Sequence, residues 1–78
     1  MTKKITLPSG KIAEIAEFKG KHIREAQRIA DGEADKIIFA LISLLTTIDG
    51  YPVLIEDLDE MPGKDVMKLT AEFSEANF

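Results

Sequence analysis

From Ala34 to Ile48 the chain reads ADKIIFALISLLTTI, with apolar side chains at three- and four-residue spacing, a pattern that predicts a helix. At about 100° per residue, Ala34, Ile37, Ile38, Leu41, Leu44, Leu45 and Ile48 share one arc, the buried stripe of an amphipathic helix. Phe39 and Ile42 fall outside that arc, beside Asp35 and Thr46, where a solvated helix would carry charge. Either the protein's own hairpin or last helix covers them, or they form an apolar patch that serves a partner.

The flanking patterns predict the remaining elements. Ile5–Leu7 and Ile12–Phe18 are β-branched and apolar segments around Pro8-Ser9-Gly10-Lys11, a turn composition, so residues 1–18 read as a β-hairpin. Its register is open. Ile12, Ala16 and Phe18 share a face with Glu14, while Ala13 and Ile15 share the other with Glu17. Lys21 to Ala30 predicts a helix with Ile23, Ala26 and Ala30 on one face, stopped by Asp31-Gly32. The apolar helix is expected to stop in the same way at Asp49-Gly50, with Tyr51-Pro52 barring continuation. Ile55 to Met61 predicts a short helical turn with acidic residues at its start. Lys64 to Ala76 predicts a last helix with Val66, Leu69, Thr70 and Phe73 on its buried stripe and Met67 off it. The fold class expected is α+β: one domain spanning 1–78, an N-terminal hairpin packed on three helices (two within 21–48) plus a short helical turn, the turn and last helix lying within 55–77.

Length and charge narrow the field. A chain of 78 residues buries only about 60 to 65% of its unfolded surface, so its core is thin and self-association would help it. Cysteine is absent, which removes disulfides and thiolate chemistry and suits a reducing cytoplasm. The longest uncharged run, Ile37 to Ile48, falls well short of the roughly 20 residues that span a bilayer, and Met1-Thr-Lys-Lys leads straight into a strand pattern. Neither membrane insertion nor a secretory signal is expected. The net charge of −4 is uneven: residues 1–39 hold eight Lys/Arg and six Asp/Glu, residues 40–78 two and eight. An acidic half suits a basic partner and disfavours phosphate backbones.

Little in the chain points to catalysis. The single histidine, His22, sits at the start of a predicted helix, and Ser9, Ser43 and Ser74 show no base and orienting group beside them. The acidic residues Glu56, Asp57, Asp59, Glu60 and Asp65 lack the alternating ligands and central glycine of a calcium loop, so a solvated face is expected and no metal or other cofactor. The glycines are scattered singly and form no phosphate cradle. Lys21, Arg24 and Arg28, extended by Lys19, share one helical face and are the residues that could touch phosphate. The next helix, however, would offer Phe39, Ile42, Ser43 and Thr46 to a major groove instead of Arg, Asn or Gln.

Several segments are familiar in their order. Phe18-Lys-Gly-Lys-His-Ile-Arg-Glu-Ala-Gln-Arg-Ile-Ala-Asp-Gly32, Ala40-Leu-Ile, Thr47-Ile-Asp-Gly50, Glu56-Asp-Leu-Asp-Glu-Met-Pro62 and the ending from Phe73 to Phe78 follow one another over nearly the whole length. In this the chain resembles the small tail assembly chaperones of contractile-tailed bacteriophages and related prophages. The resemblance implies a non-enzymatic morphogenesis factor of the host cytoplasm that holds the tape measure protein until the tail tube polymerises around it, then leaves. It also implies a short form of a product made in two lengths by frameshifting. A holder of an elongated apolar helix needs adaptable apolar side chains with polar edges. Phe39, Ile42, Met61 and Met67 are the candidates for that groove, with Asp57, Asp59 and Glu60 as its rim. Two other classes stay open: a prophage DNA-binding regulator using Lys21, Arg24 and Arg28, and a structural tail component.

Overall fold

The computed structural model describes residues 2–77; Met1 and Phe78 lie outside them. Strands β1 (Thr2–Thr6) and β2 (Ile12–Ala16) pair antiparallel, with Lys3 opposite Ile15 and Ile5 opposite Ala13. The turn between them closes through the Gly10 N–H donating to the Leu7 carbonyl at 2.8 Å, with Gly10 at φ +94°. Side chains alternate along a strand, so Ala13 and Ile15 face the interior with Leu7, while Ile12 and Glu14 face outward. This fixes the register that the sequence left open.

Helix α1 (Gly20–Ala30) ends at Asp31-Gly32 as expected, and a 3-10 turn (Ala34–Lys36) leads into α2 (Ile37–Leu45). Here the structure corrects the sequence reading. The helix stops at Leu45, and Thr46–Ile48 is a strand, β3, which turns at Asp49-Gly50 into the two-residue β4 (Tyr51–Pro52). Asp49 at φ +52° and Gly50 at φ +84° make the pair of left-handed residues that a tight two-residue hairpin turn requires. The hairpin adds to the first one, giving a four-stranded antiparallel sheet in the order β1-β2-β3-β4, with the two helices inserted between β2 and β3. Asp49 ties the two hairpins together: its N–H donates to the Ile12 carbonyl at 2.7 Å, and its Oδ1 accepts from the Ile12 N–H at 2.9 Å.

The short α3 (Ile55–Glu60) and α4 (Gly63–Asn77) complete the chain. Asp65, Leu69 and Phe73, four residues apart, form the buried line of α4, with Val66 and Thr70 half-buried beside it. Phe18, just past β2, stacks on Phe73 with ring centroids 6.4 Å apart. Both ends of α4 are bolted to the first hairpin. At its start the buried Asp65 accepts the Ser9 N–H at 3.0 Å, and at its end the Asn77 Oδ1 accepts the Phe18 N–H at 2.9 Å. Along its length Lys3 of β1 reaches Glu72 at 2.6 Å and Glu75 at 3.3 Å.

The core also explains the surplus of apolar residues on α2. Ala40 and Ile42, nearly opposite on the helix at about 160° apart, are both fully buried. Covered on one side by α1 and on others by the sheet and α3, this helix has no solvated face of ordinary width. Ile42, assigned by its spacing to a partner-facing patch, is therefore a core residue. Phe39 is half-buried and packed against the same core. Ala34 and Ile38, expected on the buried stripe, are exposed instead, Ile38 by 39%. Similarly, α1 rests on the core by Ala26 and Ala30 while Ile23 stays 38% exposed.

Candidate functional site

The second hairpin borders a hollow in the surface. Ile48 and Tyr51 flank the Asp49-Gly50 turn as directly opposed residues, so their side chains lie on the same face of the sheet. Tyr51 is 75% exposed and Ile48 half-buried. The chain then runs through Pro52 and the buried Val53 into α3, and the Ser43 hydroxyl of α2 donates to the Val53 carbonyl at 2.6 Å, fixing that link. Helix α3 is started by Asp57, whose Oδ2 accepts the Leu54 N–H at 3.0 Å while its own N–H donates to the Leu54 carbonyl.

Between hairpin and helix lies a groove of about 380 Å³. Ile48, Tyr51 and Pro52 form one wall, Asp57 and Glu60 of α3 the other, with Met61 and Pro62 where α3 passes into α4 and Lys11 of the first turn also at the lining. That volume lies near the lower end of the roughly 300–1,000 Å³ typical of ligand clefts, room for a few inserted side chains. The wall is apolar and aromatic, with a flexible thioether that can adapt to what enters, and the α3 bank is anionic.

Three of the residues singled out from the sequence meet here: Met61, Asp57 and Glu60. The others lie elsewhere. Asp59 is exposed on α3 but outside the lining, and Met67 is 75% exposed on α4, also outside it. Ile42 belongs to the core, and Phe39 is half-buried against it. Ile48, Tyr51 and Lys11 were not anticipated. Their signal was present in Asp49-Gly50 between Thr46-Thr47-Ile48 and Tyr51, a strong short-range mark of a hairpin.

The basic face on α1 is diluted. Lys21 and Arg24 are exposed, but Arg28 pairs with Glu25 one turn before it. The hydrogen bond between them raises the guanidinium pKa and lowers that of the carboxyl. His22 is engaged locally, its Nδ1 accepting the Lys19 N–H at 2.9 Å to cap α1. Among the described residues no group of three or more His, Cys, Asp or Glu side chains is placed to hold a metal ion, and no helix is long and apolar enough to cross a membrane. Compared with known proteins, the chain matches no family model, no curated protein and no solved structure.

Proposed function

We propose that this protein is a non-enzymatic assembly chaperone of a phage or prophage tail, holding the tape measure protein in the host cytoplasm until the tube closes around it. The observation that carries the reading is the groove between the second hairpin and α3: an apolar wall of Ile48, Tyr51 and Met61 beside a bank of carboxylates suits transient recognition of another polypeptide. The ordered resemblance along the chain supplies the identity of that polypeptide. Two of the polar groups considered for catalysis make local structural contacts, His22 capping α1 and the Ser43 hydroxyl donating to the Val53 carbonyl. On this reading the client touches Ile48, Tyr51 and Met61, while the buried Ile42 supports the fold.

Co-expression with the tape measure protein tests the proposal. The wild-type chain is expected to co-purify with it and to be missing from finished virions. Tyr51→Glu, at an exposed side chain, should abolish co-purification while leaving the circular dichroism spectrum and unfolding midpoint unchanged. A wild-type chain that fails to retain the tape measure protein, or that persists in purified virions as a structural part, would refute it.

A further inference from the structure

The groove has a feature that restricts how a polypeptide can sit in it. An extended segment recognises a sheet edge by pairing with its free N–H and C=O groups. The edge beside this groove is β4, two residues long, and Pro52 within it has no N–H to offer. The next carbonyl, that of Val53, is already taken by the Ser43 hydroxyl. An occupant pressed against Ile48, Tyr51 and Met61 therefore finds side chains and at most a stub of backbone ladder, an arrangement best met by a chain that satisfies its own backbone groups. A helix does so.

Charge sets the orientation. Helix α3 carries Glu56, Asp57, Asp59 and Glu60 within Ile55–Glu60 and no basic residue. Of these, Asp57 and Glu60 line the groove while Glu56 and Asp59 lie outside its lining; Asp57 is committed to capping, and Glu60 forms no ion pair among the described residues. The two carboxylates at the lining, against the single cation Lys11, leave that edge of the apolar groove net negative and favour a cation on the bound chain.

Building on the protein-binding reading, we infer that the groove accepts an amphipathic helical segment that inserts apolar side chains against Tyr51 and Met61 and lays Lys or Arg along α3. Strand addition is not its mode of binding.

Three synthetic peptides of about four helical turns test this: one with an apolar stripe flanked by Lys, one with Glu at the flanking positions, and one of the Lys composition with a central Pro that breaks the helix. Titrated into the isotopically labelled full chain at low salt, the Lys peptide should shift the amide signals of Ile48, Tyr51, Val53 and Met61 and gain helicity. It should bind at least about tenfold more tightly than either other peptide, and Glu60→Lys should erase its advantage over the Glu peptide. Equal binding of the Lys and Glu peptides, undiminished binding of the Pro peptide, or signal shifts away from the groove would overturn the inference. The two readings fail separately. Binding of the Lys peptide by a chain that cannot retain the tape measure protein would sink only the proposed function. Retention of that protein with no preference for the Lys peptide would sink only this inference.

Discussion

Ile42 is the residue whose role the structure reverses, and its substitution gives a sharp test. A surface side chain that touched only a partner could be replaced with a change in stability within about ±0.5 kcal/mol. Ile42 instead is 0% exposed, in the middle of α2 beside Ala40 and Leu41. Ile42→Val removes one buried methyl and should cost about 0.5–1.5 kcal/mol, and Ile42→Ala about 2–5 kcal/mol, because α1, α3 and the sheet hold the cavity open. A chain of 78 residues is stabilised by about 4–12 kcal/mol in all, so the alanine variant forfeits a large part of that margin. At about 4–8 °C per kcal/mol, the valine variant should melt about 2–12 °C below wild type. Ile42→Asp, which strands a charge among apolar neighbours, should not fold. Thermal and urea unfolding followed by circular dichroism measure all three, with Met67→Ala on the exposed side of α4 as the silent control. If Ile42→Ala unfolds within about 0.5 kcal/mol of wild type, the packing of α2 described above is wrong.

Other expectations follow from single contacts. The Thr46 hydroxyl is buried on the core face with no hydrogen-bond partner among the described residues, so the isosteric Thr46→Val should raise stability by about 1 kcal/mol in urea unfolding; a loss would mean that the hydroxyl is satisfied. Gly50→Ala and Gly32→Ala each force a side chain into the left-handed region at about 1–2 kcal/mol, but only Gly50→Ala should move the Ile48 and Tyr51 amide signals, because only that turn builds the groove. The hydrogen bond from Lys3, and then that from Lys68, holds the pKa of Glu72 below its ordinary value of 4.5, so the clasp between β1 and α4 contributes above that value and is lost as pH falls through the depressed one. The Lys3 ammonium is raised by the same contact, so its share persists below 10.5 and disappears as pH rises past its folded value. Glu72→Gln should flatten the acid limb of the stability profile, and high salt should shrink the difference from wild type; an unchanged acid limb would remove the clasp from the account.

Elements whose pattern was local could be read from the chain. The hairpin around Pro8-Ser9-Gly10, the stop of α1, the short acidic helix and α4 with Leu69 and Phe73 inside all lie close to where spacing put them. Burial was harder wherever it depended on which other element arrives. Nothing in the spacing of Ile38 and Ile42 says that the first remains 39% exposed and the second is sealed, since the neighbours of α2 come from before and after it in the chain. Long-range polar anchors were equally hidden: Asp65 reaches Ser9 and Asn77 reaches Phe18, and neither pairing has a sequence spacing that announces it.

The hairpin wall of the candidate site was missed for a more specific reason, which lies in one dipeptide used twice. Asp31-Gly32 and Asp49-Gly50 have nearly the same backbone, with φ of 49° and 82° in the first and 52° and 84° in the second. Yet the first ends a helix, with the Asp31 N–H donating back to the Gln27 carbonyl at 3.1 Å, and the second turns a hairpin. Two left-handed residues reverse the chain in either setting, so the dipeptide fixes a turn and leaves the elements on each side undecided. The flanks decide. Before Asp31 stand Gln27, Arg28, Ile29 and Ala30, mostly good helix formers, whereas before Asp49 stand the β-branched Thr46, Thr47 and Ile48, which lose side-chain freedom in a helix and fit a pleated surface. The open edge of β2, where Ile15 meets Thr46 and Ala13 meets Ile48, then rewards the extended form. Carrying the helical period of Leu44 and Leu45 three residues further put Ile48 on a buried stripe, when the turn sets it beside Tyr51 and makes the apolar wall of the groove.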